Sequence, residues 1–239
     1  MKLLMPYITA GVTADWTDYV RAFAAAGADM IEVGLPFSDP TLDGATIQEA
    51  TSVALSRGTT LDGILREVAD ISDIATPLML STYANLVIRE GAEKFGQKAR
   101  RAGALGVIVP DLPLEECAEV EPHVDLALLA SPSTPDARLA EIGRRSKHFV
   151  YAVTVMGTTG ERDELAASAA GLAARLKART ELPVLLGFGI STPAQAAEAA
   201  SLADGVVVGA AVMRRVLDGA GPAEAGAYVR ELKAAMSGG

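Results

Sequence analysis

The alternation of two patterns constrains this chain more than any single motif does. Short apolar runs rich in β-formers occupy residues 3–9, 30–35, 77–83, 106–110, 126–130, 149–155, 183–188 and 205–209. Alanine-rich stretches with helical spacing lie between them, among them 15–26, 46–57, 93–102, 136–145, 163–179 and 193–202. A strand run followed by a helical run is the pattern of a βα unit, whose strands pair in parallel because each helix returns the chain to the same end. A doubly wound open sheet can use the same alternation. Eight evenly spaced repeats favour closure, so the expected fold class is α/β, a single (β/α)8 TIM barrel.

Punctuation agrees with this parse. Thr192-Pro193 and Thr134-Pro135-Asp136 have the chemistry of helix starts, and Gly27 and Gly103 fall where helix ends should be. No linker rich in proline or serine and no charge block interrupts the 239 residues, so one domain over 1–239 is expected. The net charge of −9 weighs against nucleic acid and against a membrane surface, since both are anionic. Cys117 is the single cysteine, so no internal disulfide forms, and a cytoplasmic setting fits. No apolar run reaches spanning length, and the opening residues are too few for a signal peptide.

In a barrel of this kind the site lies at the C-terminal ends of the strands. Glu32 sits within Met30-Ile31-Glu32-Val33-Gly34-Leu35. Alternation sends Ile31, Val33 and Leu35 towards the outer helices, and Met30, Glu32 and Gly34 towards the interior. A carboxylate there is costly unless it is partnered, protonated or used in chemistry. A structural role within the barrel satisfies the same parity. The next loop carries Asp39 and Asp43, both with turn-forming reasons to be present, and position does not choose between them.

Three glycine features follow strands six, seven and eight: Met156-Gly157-Thr158-Thr159-Gly160, Gly187-Phe188-Gly189-Ile190-Ser191 and Gly209-Ala210-Ala211. Glycine lets backbone N–H groups approach an anion, and the loops after strands seven and eight commonly hold phosphate in this barrel. Other chemistries lose support. His123, His148 and Cys117 fall away from strand ends, which disfavours a zinc site or a Cys–His nucleophile. The six lysines avoid strand ends too, which disfavours a Schiff base, and no GxGxxG follows a strand. Carboxylates, Tyr151 and backbone amides remain.

At this point the sequence resembles the α subunit of tryptophan synthase along nearly its whole length. The strings that carry the resemblance are Pro6-Tyr7-Ile8-Thr9-Ala10-Gly11, Ala26-Gly27-Ala28-Asp29, and Ile31-Glu32-Val33-Gly34-Leu35-Pro36-Phe37-Ser38-Asp39-Pro40. Further matches are Asp43-Gly44, Ile47-Gln48, Tyr83-Ala84-Asn85, Val109-Pro110-Asp111-Leu112-Pro113, Gly157 with Thr159-Gly160, and Gly187-Phe188-Gly189-Ile190-Ser191. The resemblance implies retro-aldol cleavage of indole-3-glycerol phosphate to indole and glyceraldehyde 3-phosphate. Glu32 then corresponds to the general acid and base, and Asp43 to the carboxylate that hydrogen-bonds the indole N–H. Tyr151, Thr159, Tyr7 and Phe188 correspond to substrate-binding positions, and Gly160, Gly189, Gly209 and Ala210 to phosphate-binding ones. Asp39 and Pro40 resemble positions at the contact with a β subunit.

The same resemblance implies an α2β2 assembly, no cofactor in this chain, and pyridoxal phosphate only in the β-subunit partner. It also marks departures. The chain starts almost at the first strand, without most of the usual N-terminal covering helix; Ala210 replaces a serine hydroxyl; Val155, Thr158 and Thr41-Leu42 differ from the common residues. A free-standing indole-3-glycerol-phosphate lyase and a weakly active allosteric partner of the β subunit are the alternatives.

Overall fold

The computed structural model describes residues 1–153, 162–187 and 189–236. All eight expected strands form, β1 (Leu3–Thr9) with the expected bounds and the others with shorter ones: β2 (Ile31–Gly34), β3 (Leu78–Ser81), β4 (Gly106–Ile108), β5 (Leu129–Ala130), β6 (Val150–Val153), β7 (Val184–Gly187) and β8 (Gly205–Val208). The first connections are helices α1 (Trp16–Ala25), α2 (Ala45–Ser56), α3 (Leu61–Asp70), α4 (Ala84–Ile88), α5 (Ala92–Arg101) and α6 (Cys117–Val120). Further along come α7 (Asp136–Arg145), α8 (Arg162–Lys177), α9 (Pro193–Leu202), α10 (Ala210–Leu217) and α11 (Pro222–Met236). Among the described residues no helix is long and apolar enough to cross a membrane.

The strands pair in the order β4-β3-β2-β1-β8-β7-β6-β5, every neighbour parallel. Closure is made at the β4–β5 seam by one parallel bridge, Val107 to Leu126. The Val107 N–H donates to the Asp125 carbonyl at 2.8 Å, and the Ala127 N–H donates to the Val107 carbonyl at 3.0 Å. The sequence predicts β5 over 126–130, yet only its last two residues form a ladder with β6. The reason is Ser146, whose buried hydroxyl accepts from the Leu128 N–H at 2.9 Å and donates to the Phe149 carbonyl at 2.5 Å. A side chain there stands in for a rung of the sheet.

Alternation along the strands divides the apolar residues into two layers. Inside the barrel, Met5, Met30, Met79, Ile108, Ala127, Phe149, Leu185 and Val207 form one cluster. Outside it, Ile31, Val33 and Leu35 join the larger layer between strands and helices, as their parity predicts. Two large rings enter the interior where the facing strand carries no side chain. A Cβ on Gly34 would collide with the Tyr7 ring, and one on Gly187 would lie 2.6 Å from Tyr151 Cε2. Glycine is required at both positions by that close approach.

The punctuation is partly corrected. Thr192 caps α9 in a reciprocal box with Gln195, and Gly27 and Gly103 adopt the left-handed conformation that ends a helix, with φ of 92° and 83°. Thr134 does not cap α7. Its hydroxyl turns back to accept from the Ser131 N–H at 3.0 Å, and Pro135 takes the cap position. Helices α3, α4, α6, α10 and α11 were not among the stretches singled out in the sequence. The signal for α3 was present: Thr60 accepts from the Gly63 N–H, and Ile64, Leu65 and Val68 share a buried face.

Removing the Ser146 hydroxyl leaves a buried N–H and a buried carbonyl unpaired beside the seam. Ser146→Ala is therefore expected to lower stability by about 1–3 kcal/mol, measured as the shift in a urea unfolding midpoint. Hydrogen exchange is expected to rise first at Leu128.

Candidate active site

A cavity of about 800 Å³ opens at the C-terminal ends of the strands. Glu32 stands on its floor, 5% exposed, with Tyr7 directly opposite on β1 and Met79 opposite on β3. Tyr151 enters from β6, and Leu35, Phe37, Ile47, Ile108 and Leu129 supply apolar wall. Such a pocket, mostly apolar with a few convergent polar groups, suits a flat hydrophobic ring bearing a polar tail.

Burial dominates the electrostatics of this floor. It pushes the Glu32 carboxyl from 4.5 up to about 7; the Ser81 hydroxyl opposes the rise and the negative charge of Asp43 adds to it. A carboxyl with that midpoint is present in both protonation states near neutrality, as a group that both gives and takes a proton requires. The phenols of Tyr7 and Tyr151 are also raised by burial, so they are neutral hydroxyls here. Tyr7 Oη accepts from Thr9 Oγ1 at 3.2 Å, which fixes the ring over Gly34.

Asp43 lines the same cavity from the loop between β2 and α2. Its position is over-determined. Tyr83 Oη donates to Asp43 Oδ2 at 3.1 Å and accepts from the Leu42 N–H at 3.1 Å. Gln48 Nε2 donates to the Asp43 carbonyl at 2.8 Å, while the Asp43 N–H donates to the Pro40 carbonyl. Tyr83 is itself held by stacking on Phe37, with ring centroids 5.2 Å apart. Burial raises the Asp43 carboxyl and the Tyr83 hydroxyl opposes that rise. Asp39, by contrast, is exposed and away from the cavity, accepting from its neighbour Ser38 at 2.6 Å. Geometry thus separates two aspartates that the residue pattern left equivalent.

The expected phosphate positions are less gathered. Gly209 lines the cavity and precedes α10, so the first-turn N–H groups of that helix lie at its edge without intrahelical acceptors. Ala210 is the exposed first residue of α10, and Gly189 is exposed after β7 with φ 58°; neither is part of the cavity wall. Thr159, Gly160 and Phe188 lie outside the described residues, as do Val155 and Thr158. The pattern-based reading missed Ser81, Thr82, Ser131 and Thr134, which add hydroxyls to the lining. Strand-end parity would have found Ser81, whereas Thr134 needed the turn that follows β5.

The residues excluded earlier sit elsewhere. His148 pairs with Asp125 at 3.0 Å near the opposite end of the strands, and burial pushes the Cys117 thiol up to about 11. Among the described residues no group of three or more His, Cys, Asp or Glu side chains is placed to hold a metal.

Comparison with known proteins agrees with this geometry. The profile of the family described as tryptophan synthase alpha chain matches residues 1–237. This chain belongs to that family. The alpha chain of Chloroflexus aggregans is 43% identical over 245 residues, covering 97% of this chain and 91% of that one. The alpha chain of Streptomyces coelicolor is 42% identical, covering 97% and 86%. Among solved structures, tryptophan synthase of Mycobacterium tuberculosis superposes with a TM-score of 0.90 at 37% identity, covering 100% of this chain and 93% of that chain. A chain from the α2β2 tryptophan synthase complex of Pyrococcus furiosus gives 0.89 at 34%, covering 98% and 100%.

The Glu32 midpoint has a consequence for stability in this alpha chain. A carboxyl whose folded midpoint lies above its unfolded one stabilises the fold fully below the unfolded value and loses that contribution as pH rises through the folded value. The window therefore runs from pH 4.5 to about 7. Glu32→Gln, neutral throughout, is expected to remove a decline on the order of 3 kcal/mol across that window. Urea unfolding of both proteins at several pH values measures it, and parallel curves would refute the shift.

Proposed function

We propose that Glu32 and Asp43 carry in this chain the reaction of its family, cleavage of indole-3-glycerol phosphate to indole and glyceraldehyde 3-phosphate. The observation that supports this reading is two carboxyl groups of different environment facing one apolar-walled cavity, with Glu32 close to half-protonated at neutrality. Protonated Glu32 delivers its proton to ring carbon 3, and the ring nitrogen becomes cationic. The Asp43 carboxylate faces that N–H and stabilises the charge. Ionised Glu32 then takes the proton of the hydroxyl on the adjoining side-chain carbon. As that carbon becomes the aldehyde, the carbon–carbon bond breaks and its electron pair returns to the ring. Indole and the triose phosphate leave with Glu32 protonated again, so protons and electrons balance within substrate and enzyme.

Because the cycle closes on proton transfer alone, we read the chain as needing no cofactor of its own; pyridoxal phosphate belongs to the β-subunit partner of an α2β2 assembly. Tyr7 and Tyr151 bound the ring, with Thr159 and Phe188 assigned to the same task by their place in the family strings. Phosphate binding is assigned to backbone N–H groups at Gly160, Gly189, Gly209 and Ala210. Ala210 offers no hydroxyl, so its contribution is the amide at the start of α10, where the helix dipole favours an anion. The single cysteine, Cys117, buried and free, supports a cytoplasmic setting.

Indole release from indole-3-glycerol phosphate, measured with and without a β subunit, tests this reading. Glu32→Gln is expected to lower kcat by about 10²–10⁴-fold. Asp43→Asn, which keeps the shape and removes the charge, is expected to lower kcat by roughly 10²-fold or more. Near-native cleavage in Glu32→Gln would overturn the assignment. Full activity with no response to a β subunit would identify a free-standing lyase.

A further inference from the structure

We propose that Ser81 is a positioning residue for Glu32, its hydroxyl fixing the carboxyl that exchanges protons with the substrate. This inference rests on the acid–base reading of Glu32 and adds to it a residue on a different strand.

The argument begins with register. Strands β2 and β3 are parallel, with Glu32 opposite Met79 and Gly34 opposite Ser81. Met79 is fully buried in the inner cluster, so Ser81, two residues on, also points inward, one layer above. What surrounds its hydroxyl decides its partner. On β2 the residue opposite is Gly34, which has no side chain. On β4 the residue opposite is Ile108, which is apolar. The diagonal neighbour across the bare glycine is Glu32, and Ser81 and Glu32 line the same cavity. The backbone of Ser81 is pinned on one side, where the Leu35 N–H donates to its carbonyl at 2.8 Å. The next residue is pinned on the other, the Thr82 N–H donating to the Ile108 carbonyl at 3.0 Å. The backbone that carries the hydroxyl is therefore held on both sides, beside Glu32.

The other groups facing Glu32 make that hydroxyl important. Tyr7 faces it from β1, Tyr151 from β6, Asp43 from the loop after β2 and Tyr83 from the end of β3. None of these is a cation. Burial and Asp43 both disfavour the ionised carboxyl, and the Ser81 hydroxyl is the interaction that favours it. A donor in that place orients the carboxyl and keeps its ionised form accessible for the second half of the reaction.

The test reads Glu32 directly. In substrate-free protein the Glu32 carboxyl band is identified by difference infrared spectroscopy as the band lost in Glu32→Gln, and its titration midpoint is followed. Ser81→Ala is expected to raise the midpoint by about one unit, a tenfold change in proton affinity. Ser81→Thr, which keeps the hydroxyl, is expected to restore it. Alongside, the limb of the kcat/KM profile that reports Glu32 is expected to move by the same amount, with kcat falling and KM little changed. A midpoint unmoved in Ser81→Ala overturns the proposal, whatever happens to the rate. If Ser81→Ala does not fold, Ser81→Cys, nearly the same shape with a weaker donor, gives the comparison. A moved midpoint together with full activity in Glu32→Gln would leave the Ser81 contact standing and overturn the acid–base reading.

Discussion

The upper half of this barrel is organised around a carboxyl group that water barely reaches. Glu32 lies 5% exposed on a strand whose other inward residues are methionine and glycine, so its charged form loses most of its hydration and, among the described residues, gains no cation in return. An isolated ionised carboxyl in such a place would be intolerable to the fold. The structure keeps it instead as a group that hesitates between two states, with its midpoint at about 7. Much of the surrounding geometry serves that balance: the Tyr7 ring seated over Gly34, the Tyr151 ring seated over Gly187, and the apolar wall from Leu35 to Leu129. Enlarging either glycine would expel a ring, open the floor to water and return Glu32 towards an ordinary carboxylate.

A barrel supports such a site because its closure is rigid, and closure depends on one seam. Among the described residues one bridge, Val107 to Leu126, joins β4 to β5, and Ser146 supplies hydrogen bonds that the short β5 lacks. Beyond this seam come Ser131 and Thr134, whose mutual hydroxyl contact at 3.1 Å shapes the cavity rim. The weakest stretch of the sheet therefore lies directly beneath part of the substrate wall. Glu32 sits across the barrel on the continuous β1–β2–β3 pairing, whereas β5 pairs with β6 through two residues.

How much of this was legible depends on which physical rule carried the information. Period-two alternation identified Glu32 as interior, because inward and outward facing are forced by the backbone alone. The same alternation recovered all eight strands but overran every one except β1, most of all the start of β5, since apolar character persists where no ladder forms. Local chemistry misled at Thr134: a threonine before proline looks like a cap, yet Ser131, the residue directly after β5, offered its N–H first. Asp39 and Asp43 were inseparable by pattern, because both have turn-forming excuses; what separates them is Tyr83, forty residues away in sequence and invisible to any local rule. Resemblance to the family chose Asp43 without showing why. Gly189 and Ala210 were named as phosphate positions by the resemblance, and they stand outside the cavity wall, so their role rests on that resemblance.

Two carboxyl groups sharing a pocket repel each other, and environment settles which of them yields. Glu32 is the more deeply buried, and the negative charge of Asp43 adds to the rise caused by that burial. Asp43 also pays for partial burial, but it is nearer the mouth and has the Tyr83 hydroxyl on Oδ2. The proton therefore settles on Glu32 and the charge on Asp43. Opposed environments of this kind divide a pair of similar groups into an acid and an anion. Cleavage of a carbon–carbon bond beside an indole needs one of each: a proton for the ring carbon, and a fixed negative charge for the nitrogen that becomes positive. Exchanging the environments, with the donor on Glu32 strengthened or the Tyr83 hydroxyl removed, would move the proton the wrong way while leaving both carboxyl groups in place. The roles thus follow from depth and hydrogen bonding, since the two carboxyl groups are chemically almost identical.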